Sequence, residues 1–234
     1  MHTSCGAYAI VPAAGSGRRF GGPVKKQFLL LNGKEILIRT LETLASVPEI
    51  RGILLAADEA DLPQCRALVQ QYAVPKIHAL VAGGATRQES VLRALQQLPE
   101  GCDIVVIHDG ARPLVKPGLI QESIAGARAW GGAVAAVPVK DTIKEADEQG
   151  FIRRTPLRSS LWNAQTPQTF QAAPLREAYQ KALAAGDFSL TDDSQVVEKY
   201  GELSVRLIPG EYENLKITTP EDLLLAERIL SGSV

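Results

Sequence analysis

Residues 7–20 read AYAIVPAAGSGRRF, an apolar run that passes into a loop of small residues and then into two arginines. The apolar part, Ala7 to Pro12, predicts a short buried strand. Glycine and other small residues let a backbone approach a ligand closely, with its N–H groups directed at that ligand. The stretch therefore predicts a strand that ends in a ligand-binding loop.

Four cations follow this loop within nine residues, and no acid occurs between residues 13 and 34. They are Arg18, Arg19, Lys25 and Lys26. Positive charges at this density repel one another and are disfavoured near a helix N-terminus, so the arrangement indicates an anion that binds them. By the general behaviour of anion sites at helix termini we expect a polyphosphate. A merely solvated basic loop is the alternative.

Two common phosphate-binding loops do not fit this stretch. A P-loop ends in Gly-Lys followed by Ser or Thr, whereas Pro23 and Val24 follow Gly22 here. The dinucleotide fingerprint has three glycines; Gly15 and Gly17 match the first two, but Phe20 takes the third place. The loop is therefore expected to bind phosphates in a different way.

Length and composition indicate one sizeable α/β domain. The chain has 234 residues, 45% of them hydrophobic and 22% charged. Its net charge of −1 argues against a general binder of nucleic acid or of membrane surfaces. The three cysteines are scattered and predict neither a zinc site nor a disulfide framework. No signal peptide and no run of about 18 apolar residues is evident, so a cytoplasmic location is expected.

Strand and helix patterns alternate over the first 138 residues. The predicted strands are 7–12, 51–57, 77–82, 104–108 and 133–137, and the predicted helices are 36–44, 62–72, 87–97 and 117–130. This alternation predicts a doubly wound, mostly parallel, Rossmann-like sheet, whose ligands collect at the carboxyl ends of the strands. Further helices (174–184, 192–200 with Thr191 as N-cap, and 220–230 with Thr219 as N-cap) and a strand (205–208) complete the domain.

The alternation stops at Val139, and residues 139–165 are polar with no helical pattern. A turn signal at 148–150 lies between two short extended stretches, near 142–145 and 151–155. An isolated two-stranded hairpin is only marginally stable in water. We therefore expect a projecting β-arm that clasps a second copy of the chain.

Several polar residues are candidates for chemistry, each with a plainer alternative. Asp109, at the end of the 104–108 strand, is a natural magnesium contact, or it only pairs with Arg112. Gly83, Gly84, Ala85 and Ser90 present polar groups to a nucleobase, or they only form a tight turn before a helix. Thr142, Arg158 and Lys216 reach a ligand, or they are ordinary surface residues. His108 is expected to be a buried structural residue.

Seven stretches resemble one family. They are AAGSGRRF with KKQF (13–20 and 25–28), GGATRQES (83–90), HDGARP (108–113), PVKDTIK (138–144), LWNAQTPQTF (161–170), TDD (191–193) and ENLKIT (213–218). Together they span nearly the whole chain, and in this order they resemble the cytidylyltransferases of the non-mevalonate isoprenoid pathway. The resemblance implies a single nucleotidyltransferase domain over residues 1–234, which transfers CMP from CTP to methylerythritol phosphate with Mg²⁺.

The resemblance also implies roles for individual residues. Ala13, Ala14, Gly15, Gly17, Gly84, Ala85 and Ser90 would line the nucleotide, Arg19 and Lys26 would hold its triphosphate, and Asp109 would lie by magnesium. Arg112, Thr142, Arg158 and Lys216 would bind the polyol phosphate. In a homodimer that exchanges the 139–165 arm, Thr142 and Arg158 would serve the partner's site.

Three alternatives remain open from the sequence. A ribitol-5-phosphate cytidylyltransferase would share the nucleotide-binding half. An NAD(P)-dependent oxidoreductase would use Asp58 as its ribose acid, although Phe20 and the cationic loop count against it. A non-catalytic nucleotide-binding module would bind CTP without releasing pyrophosphate.

Overall fold

Strands and helices alternate along the chain in the computed structural model, which describes residues 6–15 and 24–232. The strands are β1 (Ala7–Pro12), β2 (Leu30–Leu31), β3 (Lys34–Glu35), β4 (Ile50–Ala57), β5 (Ile77–Ala82), β6 (Ile104–Ile107), β7 (Gly131–Pro138), β8 (Glu145–Ala146), β9 (Ile152–Arg154), β10 (Trp162–Gln171) and β11 (Ser204–Pro209). The α-helices are α1 (Ile36–Ser46), α2 (Leu62–Gln71), α3 (Arg87–Leu95), α4 (Pro117–Trp130), α5 (Ala172–Ala184), α6 (Asp193–Tyr200) and α7 (Pro220–Leu230). Within the described ranges, none of these helices combines the length and apolar character needed to cross a membrane.

Among the described residues, seven strands form the main sheet in the order β11-β7-β10-β6-β1-β4-β5. β10 runs antiparallel to both of its neighbours, and the other pairs are parallel. β1 lies between β6 and β4, so the ligand-binding loop predicted after β1 leaves from the middle of the sheet. The predicted doubly wound, mostly parallel sheet is confirmed.

Helices cover both faces of this sheet, which is why β1, β6 and β7 are apolar on both sides. Successive side chains of a strand point to opposite faces; accordingly Ala9 and Val11 belong to one core cluster and Ile10 to the other. The first cluster packs against α1, α2 and α4, and the second against α3, α5 and α6. This double cover fixes the strand ends and hence the loops that follow them.

The helix caps predicted from the sequence agree with the structure except at α6. Thr219 caps α7 as predicted, and Thr86 and Thr219 each form a capping box with the acid three residues on. At α6 the predicted cap, Thr191, is wrong. Asp192 caps this helix by accepting the Gln195 N–H at 2.9 Å, while Thr191 binds the Gln195 side chain. Asp and Thr are both good N-caps, so the neighbouring candidates could not be ranked by residue type.

The sequence pattern does not predict β10, the one antiparallel strand described in the main sheet. Its sequence, WNAQTPQTFQ, is polar, and a proline normally argues against a central strand. The strand accommodates Pro167 by a shift in its register with β7 between Ala164 and Gln168. Residues 162–165, placed in the arm from the sequence, therefore lie in the sheet. The projecting hairpin consists of β8 and β9.

Candidate active site

A cavity of about 660 Å³ opens where β1, β4, β5 and β6 end. These are carboxyl ends of parallel strands, where ligands of doubly wound folds bind. The lining residues described are Pro12–Gly15, Lys26, Gln27, Asp58, Gly84–Arg87, Ser90, Asp109–Ala111, Lys216 and Thr218. Most of the predicted nucleotide-binding residues are thus brought together. Gly17 and Arg19 lie outside the residues that the structure describes.

The loop after β1 is held in place by backbone contacts. Ala13 donates its N–H to the Ala56 carbonyl at 2.7 Å, and the buried side chain of Gln27 donates to the Ala13 carbonyl at 3.0 Å. Gln27 belongs to a short 3-10 helix, Lys26–Phe28, that also places Lys26 on the cavity wall. The predicted loop and the predicted lysine therefore face the same space.

The interpretation of all four cations as partners of an external anion is wrong for Lys25. Its ammonium binds the carboxylates of Asp58 and Asp61, which lie between β4 and α2. The Lys25 Nζ atom is 2.7 Å from Oδ2 of Asp61. The chain therefore supplies the counterions for this lysine. Asp58, the ribose acid of the oxidoreductase alternative, is engaged in the same ion pair.

The loop after β5 is a tight turn braced by Ser90. The fully buried Ser90 hydroxyl accepts the Gly84 N–H at 3.0 Å and donates to the Thr86 carbonyl at 2.9 Å. A Cβ atom at Gly84 would lie 2.3 Å from Cβ of Glu89, so only glycine fits there. Ser90 therefore shapes the loop, and any contact of Gly84, Ala85 or Ser90 with a base stays a prediction.

Three cations surround the buried carboxylate of Asp109, just beyond β6. Arg87 Nε lies 3.1 Å from Oδ1, Lys216 Nζ lies 2.7 Å from Oδ2, and Arg112 Nε lies 3.8 Å from Oδ2. Burial alone would raise the pKa of this carboxyl, but the charges of Arg87, Lys216 and Arg112 outweigh it and hold the pKa well below its usual range. Asp109 is therefore ionised at neutral pH.

Lys216 reaches this cluster because the extended segment before α7 is bonded to the turn after β6. Ile217 donates its N–H to the Ala111 carbonyl at 2.9 Å, and its own side chain is fully buried. Neighbouring side chains of an extended segment point in opposite directions, so Lys216 and Thr218 face the cavity.

A second cavity of about 150 Å³ adjoins the first. Arg87, Asp109 and Lys216 line both cavities and form their shared wall. Arg112 lines only the second cavity, where its guanidinium donates to the Asn214 carbonyl at 2.6 Å. Arg87, Thr166 and Gln168 also line it; their motifs resemble the family's, but the sequence assigned them no role.

Thr142 and Arg158 line neither cavity. Both are exposed, and Arg158 donates to the Lys140 carbonyl at 3.1 Å. The described chain therefore does not bring these two residues to its own site, and their assignment to the polyol phosphate stays a prediction.

His108 is fully buried beneath this site, as predicted. Its Nε2 lies 3.1 Å from the Arg112 carbonyl, an acceptor, so Nε2 carries the hydrogen. Its Nδ1 then accepts from the Thr166 hydroxyl at 3.0 Å, and that hydroxyl accepts the Asp109 N–H at 3.1 Å. Burial lowers the pKa of His108 to about 4. The imidazole is therefore neutral at pH 7, and it can donate at Nε2 while it accepts at Nδ1.

Replacement of His108 by Gln should flatten the pH dependence of stability. The pKa of a histidine in an unfolded chain is about 6.5, so between pH 6.5 and 4 the unfolded state binds a proton that the folded state does not. Wild-type stability should therefore fall on acidification by about 2 kcal/mol more than His108→Gln stability between pH 7.5 and pH 5. Urea unfolding at both pH values measures this. Equal losses would contradict a buried neutral His108.

Comparisons with known proteins show the family of this chain. The family model of IspD, 2-C-methyl-D-erythritol 4-phosphate cytidylyltransferase, matches residues 7–232. Enzymes of that name from Geotalea uraniireducens and Syntrophotalea carbinolica are 45% and 47% identical, over 96% and 95% of both chains.

Solved structures give the same result. The 4-diphosphocytidyl-2C-methyl-D-erythritol synthase of Anaerococcus prevotii superposes with a TM-score of 0.86 at 33% identity, covering 97% of each chain. The 2-C-methyl-D-erythritol 4-phosphate cytidylyltransferase of Thermus thermophilus superposes with a TM-score of 0.77 at 33% identity, covering 96% of this chain and 98% of that one. The family match and these relatives show that the chain belongs to the 2-C-methyl-D-erythritol 4-phosphate cytidylyltransferase family.

Proposed function

We propose that the two adjoining cavities bind the two substrates of this family's reaction and that transfer takes place at their shared wall. CTP would occupy the larger cavity, and the phosphate of 2-C-methyl-D-erythritol 4-phosphate would enter from the smaller one. The observation that carries this proposal is the wall itself, where Arg87, Asp109 and Lys216 face both spaces.

The larger cavity suits a nucleoside triphosphate. Ala13, Ala14 and Gly15 on one side and Gly84 and Ala85 on the other have small side chains, which permit close approach of backbone N–H groups to a ligand. Lys26 lies on the same wall and would bind the triphosphate. Arg19 is assigned to the triphosphate from its motif alone.

The reaction needs positioning and charge neutralisation more than proton transfer. A phosphate oxygen of the polyol phosphate attacks the α-phosphorus of CTP; the bond from that phosphorus to the bridging oxygen breaks, and pyrophosphate leaves. The nucleophile is already an anion, so no general base is required. Lys216 and Arg112 would draw the acceptor phosphate toward the nucleotide, and Lys26 would stabilise charge on the leaving pyrophosphate.

Magnesium would assist this chemistry by neutralising phosphate charge. No group of three or more His, Cys, Asp or Glu side chains that could cage a metal occurs in residues 6–15 and 24–232. Mg²⁺ needs no such cage, since it is commonly held by one or two carboxylates together with substrate phosphates and water. The ionised Asp109 carboxylate retains acceptor positions beyond those used by Arg87 and Lys216. The donor set fits a magnesium ion that contacts the protein at Asp109.

We further propose that the chain is a homodimer joined through the arm. Large apolar side chains project from the arm into solvent: Phe151 is 69% exposed and Leu157 is 73% exposed. Burial of such side chains against a second copy would be favourable. Exchange of the arms would also bring Thr142 and Arg158 to a site that their own chain does not offer them.

Pyrophosphate release tests the proposed reaction. With CTP and Mg²⁺, we expect release to depend on methylerythritol phosphate and to be far slower with ribitol 5-phosphate. The Lys26→Ala variant should lower turnover by about two to three powers of ten, the typical loss of one preorganised donor. Lys34→Ala, which removes a lysine paired with Glu42 away from the cavity, is the matched control. Preference for ribitol 5-phosphate would refute the substrate assignment, and full activity of Lys26→Ala would remove Lys26 from the mechanism.

Complementation between inactive variants tests the exchanged arm. Lys216→Ala and Arg158→Ala chains, co-expressed with different tags and purified through both tags, form heterodimers in which one of two sites has neither substitution. Because a symmetric dimer has two equivalent sites, heterodimer activity should be about half that of the wild type, far above either homodimer. Activity no higher than the mean of the two homodimers would show that each arm serves its own chain or none.

A further inference from the structure

Asp193, the first residue of α6, is a fully buried acid that lines neither cavity. It is not needed as the helix cap, because Asp192 fills that role and the Gln168 side chain accepts the N–H groups of Asp193 and Ser194. Its carboxylate is instead bound by the Arg87 guanidinium at 2.6 Å and by the Tyr179 hydroxyl at 2.5 Å. Desolvation of a buried carboxylate costs free energy that its ion pair must offset. A role for Asp193 in holding Arg87 would account for the retention of this charge.

Arg87 connects Asp193 to the shared wall. Its Nη2 donates to Asp193, and its Nε donates to Asp109 at 3.1 Å. Two different nitrogens of one planar group are used, a geometry that a lysine ammonium cannot reproduce. The result is a continuous series of contacts from Tyr179 through Asp193 and Arg87 to Asp109, and on to Lys216 at 2.7 Å.

We propose that Asp193 is a positioning residue for the transfer reaction: it holds Arg87 away from the substrate phosphates and against Asp109, so that Asp109 presents Lys216 and Arg112 in one arrangement. The inference rests on the proposed function of the shared wall. Two acids, Asp109 and Asp193, stand against three cations there, Arg87, Arg112 and Lys216. Without the charge of Asp193, Arg87 would be drawn to the bound phosphates and Asp109 would lose its fixed orientation.

Asp193→Asn tests this role, because asparagine keeps the size of the side chain and removes its charge. We expect kcat to fall by roughly ten- to a hundredfold, as for misplacement of a catalytic group by about 1 Å. The KM values for CTP and for the polyol phosphate should change by less than about threefold, because Lys26, Lys216 and Arg112, which are assigned to the substrate phosphates, are all retained. Ser123→Ala is the matched control: it removes a buried hydrogen bond to Thr169 between α4 and β10 and should leave kcat unchanged.

A double-substitution cycle with Arg87 distinguishes positioning from a general structural effect. If Asp193 acts through Arg87, then Asp193→Asn should lower kcat little further in an Arg87→Gln chain. Arg87→Lys should not restore kcat, since lysine cannot bridge both acids. Independent, multiplicative losses in the cycle would overturn the proposal, and so would a wild-type kcat for Asp193→Asn.

Tyr179→Phe tests the same positioning role if Asp193→Asn does not fold. It removes only the hydroxyl that holds Asp193 and should lower kcat severalfold with both KM values preserved. The wild type is assayed in parallel and must be active. If folded Tyr179→Phe then has an unchanged kcat, the contacts from Tyr179 through Asp193 to Arg87 have no positioning role. Absence of pyrophosphate release by the wild type would instead refute the proposed function.

Discussion

The shared wall of the two cavities depends on the ionised carboxylate of Asp109. A buried carboxylate stays charged only when cations surround it, and cations this close together are tolerated only with an acid between them. Arg87 comes from the start of α3, Arg112 from the turn after β6 and Lys216 from the segment before α7. One charge thereby binds the turn that follows one central strand to two parts of the chain that are distant from it in sequence.

Hydrogen bonds between uncharged groups hold the buried side of the same turn, which follows β6. His108, Thr166 and the backbone of Asp109 and Arg112 satisfy one another's donors and acceptors. Thr166 belongs to β10, and Gln168 of the same strand binds the start of α6. This use explains why Thr166 and Gln168, in the middle of the sheet, are polar: their side chains hold the shared wall in place, while Phe170 of the same strand fills the core.

Much of the fold is predictable from the sequence because its signals are local. Apolar runs mark β1 and β6, whose side chains are largely buried, and the Thr86 and Thr219 capping boxes mark helix starts by bonds within four residues. The cavity follows from the rule that loops after parallel strands meet at one edge. The contacts of Lys25 and Arg87 could not be predicted, since their acids lie far away in sequence and are brought near only by folding. β10 was missed because its polar residues serve the site and so hide the alternation of a strand.

The most direct test of this dependence is the single-turnover rate of pyrophosphate release by Asp109→Asn, measured on protein whose unfolding free energy is determined in parallel. Asp103→Asn, at the opposite end of β6 and paired there with Arg128, serves as the control for loss of an acid. If Asp109 gathers the cations of the shared wall, Asp109→Asn should react about a hundredfold or more slowly while remaining folded, and the control should react at the wild-type rate. A folded Asp109→Asn variant with the wild-type rate would contradict the central role of this carboxylate.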